Sequence, residues 1–175
     1  MVVTLGGGGD GFEVMDNYLS MLQTEHQPMP FKSILVTGPF MPAKSRKRFF
    51  RRANRLNVKA YRFYHKMEGL MAAADLVVSM GGYNTVCEIL SQGTVSLVIP
   101  RETPRKEQLI RAKVLHNQHL LDYIKWDNLS PRILRDKILA LLDNPEIYQE
   151  AISRFQLTGF KAMRRRLDFF RNNKT

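Results

Sequence analysis

The sequence predicts an α/β fold in which a parallel sheet is covered by helices on both faces. Three observations carry this expectation. Short apolar runs alternate with longer helical patterns along the whole chain. Most of those runs are continuously apolar, as strands buried on both faces are. Most end in glycine or proline, which places unusual loops at the carboxyl ends of strands, the edge where such sheets collect ligands.

The elements follow in order. The run VVTL (residues 2–5) reads as a strand that ends in GGGGDG (6–11). Behind it Phe12, Met15, Leu19 and Leu22 recur at helical spacing on one face. SILVTG (33–38) is the next strand, closed by Pro39 and Pro42, and KSRKRFFRRANR (44–55) follows as a helix with Phe49, Phe50, Ala53 and Leu56 as its apolar stripe. VKAYRF (58–63) is a short strand and MEGLMAAA (67–74) a compact helix. A strand at 76–80, a helix from Thr85 to Gln92 closed by Gly93, and a strand at 95–99 come next. Residues 107–124 read as one longer helix. Ser130 and Pro131 have the form of an N-cap and first helical residue, and Asp143-Asn144-Pro145 stops that helix. A last helix over about 146–173 carries Phe155, Phe160, Met163, Leu167 and Phe170. The whole reads as one Rossmann-like domain over residues 1–175.

The bulk composition agrees. The chain has 175 residues, 44% hydrophobic and 25% charged, which suits a single globular domain with a real core. No apolar stretch approaches the roughly 20 residues of a membrane-spanning helix, and the first residues read as a strand rather than a leader. The one cysteine, Cys87, excludes an internal disulfide and fits a reducing, cytoplasmic setting. The net charge of +11 gathers partly in residues 44–55, where seven of twelve are basic, and partly near the C-terminus. Such charge attracts phosphates of nucleotides, lipid headgroups or nucleic acid. A solvated helix face explains it equally well, and no zinc-knuckle, helix-turn-helix or RNP-like motif supports nucleic acid as a partner.

Four loops share the predicted carboxyl rim, those after Leu5, Phe63, Met80 and Ile99. The glycines of 6–11, Gly8 and Gly9 among them, bring bare backbone amides to a helix N-terminus, where N–H groups and the helix dipole favour anions. They match neither the dinucleotide fingerprint, which needs an acid at the end of the next strand, nor a Walker loop. Gly81 and Gly82 lead into Asn84, Thr85 and Glu88. Thr85-x-x-Glu88 has capping-box spacing, which explains both residues without a ligand; a carboxylate there equally suits two adjacent hydroxyls of a ribose. Arg101 and Arg105 are suited to neutralising a diphosphate, and Glu107 with Gln108 to holding sugar hydroxyls. Glu107 also has a helix-dipole explanation. Of the four histidines only His116 and His119 lie close in sequence, and they read as a solvated pair rather than a metal site. Cys87 reads as a small core residue.

These motifs, in this order, resemble the C-terminal, donor-binding half of GT-B glycosyltransferases of the family 28 group, which includes the peptidoglycan GlcNAc transferases. The resemblance runs from LGGGGDGF to the helix after Ser130 and is densest in MAAADLVVSMGGYNTVCEILSQGTVSLVIPR and EQLIRA. TGPFMP and PRKEQLIRA look closer still to a bacterial group of predicted glycosyltransferases. The resemblance implies one half of a GT-B fold that binds a nucleoside-diphosphate sugar, uridine-linked, as substrate for transfer to a hydroxyl acceptor, with no tightly bound cofactor or metal.

It also implies residue roles. The backbone at Phe63 and Tyr64 would read the base and Glu88 would hold the ribose. Gly81, Gly82, Asn84 and Thr85, helped by Gly8 and Gly9, would receive the diphosphate. Glu107 and Gln108 would hold the sugar, with two departures from the peptidoglycan enzymes, which have two glutamines there and an asparagine where this chain has Arg111. A GT-B enzyme has a preceding acceptor domain that supplies the catalytic base, so this chain is expected to be an excised or naturally separate half, inactive alone. The last helix is expected to pack toward that domain or, through Phe169, Phe170 and the arginines at 164–166 and 171, to touch an anionic membrane. Half of a UDP-sugar epimerase, or a non-catalytic module that docks a partner or membrane, are the alternatives.

Overall fold

The computed structural model describes residues 1–25 and 29–158. Six parallel strands form one sheet: β1 (Val2–Thr4), β2 (Ile34–Val36), β3 (Lys59–Tyr61), β4 (Val77–Ser79), β5 (Ser96–Val98) and β6 (Asp122–Tyr123). Their spatial order is β3-β2-β1-β4-β5-β6. The order therefore reverses between β1 and β4, the switch point at which open α/β sheets bind ligands. Among the described residues the helices are α1 (Phe12–Thr24), α2 (Ala43–Arg55), α3 (Met67–Ala72), α4 (Tyr83–Ser91), α5 (Glu107–His116), α6 (Pro131–Asp143) and α7 (Glu146–Arg154).

Alternation along the strands divides the core in two. Val3, Leu35, Val78 and Leu97 face α1, α2 and α6, whose Met15, Tyr18, Leu19, Phe49, Ala53, Leu134 and Ile138 are buried with them. Val2 and Val77 pack with Met71 of α3 and Ile89 of α4. Val98 packs with Val86 and Leu90 of α4, Ala112 of α5 and Ile152 of α7. Each buried Val, Leu, Ile, Met or Phe among them contributes about 1.5–3 kcal/mol by leaving water, so the two faces together fix the sheet and present its carboxyl rim.

Several details differ from the sequence expectation. The helix expected over 107–124 stops at His116, and the chain returns as β6, a two-residue strand on the far edge. Helix α4 begins at Tyr83, two residues early, with Gly82 as N-cap and no side-chain cap bond. Thr85 therefore sits inside the first turn, and the capping box with Glu88 is not formed. Phe50 lies outside the core, half-buried beside Arg46, Lys47 and Arg51 on the outer face of α2. The last described helix ends at Arg154, with Phe155 extended, so no single helix spans 146–173; residues 159–175, including Phe160, Met163, Arg164, Arg165, Arg166, Leu167, Phe169, Phe170 and Arg171, lie outside the described residues, as does His26. The Ser130 cap is formed as expected, its Oγ accepting the Ile133 N–H at 3.3 Å with Pro131 at the first helical position.

Candidate ligand site

The two strands flanking the switch point end in the same device. The Gly6 N–H donates to Oγ1 of Thr4, and the Gly81 N–H to Oγ of Ser79, each at 3.3 Å. These short side-chain turns lift the chain off the sheet edge into a glycine loop on each strand.

The glycines divide into those that packing requires and those that it does not. Gly8 has φ +84°, and a Cβ there would stand 2.1 Å from the carbonyl oxygen of Thr37. It is where the loop after β1 closes against the loop after β2, with the Phe40 N–H donating to the Gly7 carbonyl at 2.9 Å. Gly81 has φ +74°, and a Cβ would meet Val98 at 2.5 Å. Gly9 and Gly82 are different. A Cβ on Gly9 would have no neighbour within 4 Å, and on Gly82 only Oγ1 of Thr85 at 3.9 Å; neither has a left-handed φ. Both border a cavity of about 350 Å³ lined by Leu5, residues 6–10, Met80, residues 82–85 and Gln108. The first-turn N–H groups of α4 have no acceptor within their own helix, and the helix start supplies partial positive charge at the cavity wall.

The β5–α5 loop closes the remaining side. The Arg101 N–H donates to Oε1 of Gln108 at 2.9 Å, which leaves the Gln108 NH2 group as this cavity-lining side chain's available donor. The Arg101 guanidinium forms an ion pair with Asp10 of the glycine loop. Arg111 donates to the Gly81 carbonyl at 2.8 Å and lies over the Tyr83 ring, 5.5 Å from its centroid. It thus braces the turn that starts α4. Glu102 accepts the Trp126 N–H at 3.3 Å and so anchors the same loop from below.

The cavity brings together six of the residues expected from sequence: Gly8, Gly9, Gly82, Asn84, Thr85 and Gln108. Gly81 and Arg101 stand directly behind its walls through the bonds just described. Glu88 is half-buried in the second turn of α4, and its carboxylate has no hydrogen bond or ion pair with any described residue. It lies three and four residues after Thr85 and Asn84, so it shares their helix face. Arg105 and Glu107 are exposed on the rim beyond. Phe63 and Tyr64 follow β3 at the sheet edge, outside the cavity lining; Phe63 is 55% exposed and meets the His65 ring edge-on at 5.0 Å.

Sequence reasoning missed Asp10, Met80 and Tyr83 as cavity residues. An acid set among glycines was a legible signal, but its partner lies 91 residues away. It also misplaced His116, which is half-buried rather than solvated, with Nδ1 3.3 Å from the buried Asp122 carboxylate and its ring edge-on to Tyr123. Lys137 completes that cluster at 2.6 Å. Burial, with the charge of Asp122 second, raises the Tyr148 phenol pKa above its usual range. This cluster ties β6 to α5 and α6, away from the cavity. Cys87 is half-buried.

Comparison with known proteins converges on one group. Residues 2–167 match the family model "Glycosyltransferase family 28 C-terminal domain". The UDP-N-acetylglucosamine–N-acetylmuramyl-(pentapeptide) pyrophosphoryl-undecaprenol N-acetylglucosamine transferase of Alkaliphilus oremlandii is 24% identical over 151 residues, which cover 86% of this chain and 41% of that enzyme. The enzyme of the same description from Gloeobacter violaceus is 35% identical over 115 residues, 65% of this chain and 32% of its own. The chain thus spans less than half the length of these relatives. Among solved structures, MurG of Acinetobacter baumannii superposes with a TM-score of 0.71 at 17% identity, over 93% of this chain and 47% of that one. A calicheamicin glycosyltransferase superposes at 0.66 and 18% identity, over 87% and 36%. At such identities the superpositions establish the fold.

Proposed function

This chain belongs to the glycosyltransferase family 28 C-terminal domains, and on that premise we propose that it is the donor-binding half of a glycosyltransferase. Its ligand is a nucleoside-diphosphate sugar, uridine-linked, from which a hexosyl group passes to a hydroxyl acceptor. One observation carries the reading. The cavity at the switch point is bounded by two glycines, Gly9 and Gly82, that neither packing nor backbone conformation requires; room for a ligand's phosphates beside bare amides supplies the reason for them.

The remaining roles follow from chemistry. The α4 N-terminus and the glycine loop stabilise charge on the diphosphate as it leaves. Glu88, free of any structural partner among the described residues, accepts from the ribose hydroxyls. Gln108, its oxygen engaged by Arg101, donates to a sugar hydroxyl, and exposed Glu107 and Arg105 complete the rim. The backbone at Phe63 and Tyr64 reads the base once ligand bridges from the cavity toward α3. The acceptor and the base that deprotonates it belong to a separate acceptor domain, of the kind that the longer relatives have room for, and the setting is the cytoplasm. Isothermal titration with UDP and UDP-sugars tests this: saturable binding is expected, and no binding at millimolar ligand refutes it.

A peripheral membrane role has its own supporting observation. Lys44, Lys47, Arg48, Arg51 and Arg55 are exposed on α2, and no described helix is long and apolar enough to cross a bilayer. Co-sedimentation with phosphatidylglycerol vesicles that weakens from about 0.05 to 0.5 M salt is expected; salt-independent or absent binding refutes it.

A further inference from the structure

We propose that Asp10 is a specificity-determining residue that competes with the ligand for Arg101, so that this arginine is gained only by ligands carrying a second phosphate. The inference rests on the donor-site reading above and adds to it a residue to which that reading gives no role.

Asp10 belongs to the loop that lines the cavity, and its carboxylate is turned onto the Arg101 guanidinium. The two partners are not equally placed. Arg101 is fixed: its backbone follows Pro100, its N–H is held by Gln108 at 2.9 Å, and its side chain is only 25% exposed. Asp10 is 56% exposed on a run of glycines and is the partner free to move. Its contact with the guanidinium uses one terminal nitrogen, while Nε of Arg101 is buried with no acceptor among the described residues. A buried N–H without an acceptor is costly. A phosphate has more acceptor oxygens than a carboxylate has and suits the guanidinium fork, so it can serve the terminal nitrogen and Nε together.

Position decides which phosphate reaches Arg101. With the ribose toward Glu88, the first phosphate meets the start of α4. The second lies nearer the β5–α5 loop, where Gln108 and Arg101 stand. A nucleoside monophosphate therefore binds without breaking the Asp10–Arg101 pair. A diphosphate breaks it and takes the arginine instead.

The test is an NMR titration of the full 175-residue chain with UDP and UMP, reading amide shifts, on wild type, Asp10→Asn, Arg101→Gln and the double variant. Asp10→Asn should tighten UDP by up to about five-fold, the ceiling for releasing a largely exposed ion pair, and leave UMP unchanged. Arg101→Gln should weaken UDP by about ten-fold or more, again without moving UMP. In the Arg101→Gln background the Asp10 substitution should have no effect. Weaker UDP binding in Asp10→Asn means that the pair merely props the loop, and equal shifts for both ligands mean that charge is not discriminated; either overturns the inference while leaving the donor site intact. A wild-type chain that binds neither nucleotide at millimolar concentration overturns the donor-site reading itself.

Discussion

Adjacent glycines in one loop should respond to the same substitution in opposite ways. At Gly8 an alanine must hold φ +84° and place its Cβ 2.1 Å from a backbone oxygen of the neighbouring loop. The left-handed conformation alone costs an alanine roughly 1–2 kcal/mol, and the overlap forces the loops after β1 and β2 apart at further cost. For a chain of this size each kcal/mol lowers Tm by about 2–4 °C, so Gly8→Ala should melt at least about 5 °C below wild type. At Gly9 the added Cβ meets nothing within 4 Å. Reduced freedom of the unfolded chain then gives Gly9→Ala a stability equal to wild type or up to about 1 kcal/mol higher. Yet that Cβ occupies the cavity wall where phosphate is to approach the backbone. Losing one charge-assisted amide contact weakens UDP by roughly 1.5–3 kcal/mol, which is about ten- to a hundred-fold. Differential scanning fluorimetry and UDP titration on the same two variants read both quantities. A Gly9→Ala protein that loses stability, or one that keeps wild-type affinity for UDP, refutes the assignment of Gly9 to a ligand.

Two further outcomes follow. Glu88→Ala should leave Tm within about 2 °C of wild type, as expected for a side chain with no partner among the described residues, while weakening UDP about ten-fold; a stability loss near 1 kcal/mol, the usual worth of a cap, would restore the capping role. Tyr18 is fully buried, and burial raises its phenol pKa well above the unfolded value. The neutral phenol therefore stabilises the fold below the unfolded pKa of about 10, and that contribution is lost as pH climbs beyond it. Urea midpoints should accordingly fall between about pH 9 and 11 more steeply for wild type than for Tyr18→Phe, and parallel profiles would refute this.

The sheet was legible because its signals are local and redundant. Residues 2–4, 34–36, 77–79 and 96–98 combine β-branched or apolar side chains with a glycine or proline exit, and all four are strands. β6 was not legible, because its two residues are Asp122 and Tyr123, and a carboxylate that is 5% exposed can be buried there only by Lys137 and His116 brought from two helices. No window along the chain contains that cluster. The start of α4 misled for a subtler reason. Thr85 and Glu88 have capping spacing, but Gly82 already provides the turn, and Arg111 on another helix holds its preceding carbonyl. Tertiary contacts therefore set the helix start two residues earlier than local preference does. In the same way the glycine loop was visible as a loop, but which glycines serve packing depends on Thr37, just after β2, and Val98 of β5.

The side chains that line the cavity also bear on what the chain can do alone. Backbone amides, the Thr85 hydroxyl, the amides of Asn84 and Gln108, and the Tyr83 ring can bind and polarise a diphosphate sugar. Activating an acceptor hydroxyl is a different task, which needs a carboxylate or imidazole free to take its proton within hydrogen-bond reach. Among the lining residues the one such group is Asp10, which pairs with Arg101 and, even once a diphosphate takes that arginine, stands at the phosphate end of the cavity rather than at an acceptor hydroxyl. The isolated chain should therefore bind a UDP-sugar yet transfer none of it, because stabilising the leaving diphosphate speeds only half of the displacement. Incubation with radiolabelled UDP-GlcNAc and a soluble polyhydroxylated acceptor should yield no glycoside above the protein-free control, while titration of the same sample shows the donor bound. Adding the N-terminal region of a family 28 relative in trans should restore turnover if the two halves can meet. Transfer by the isolated chain, abolished by Asp10→Asn, would show instead that this domain carries its own base.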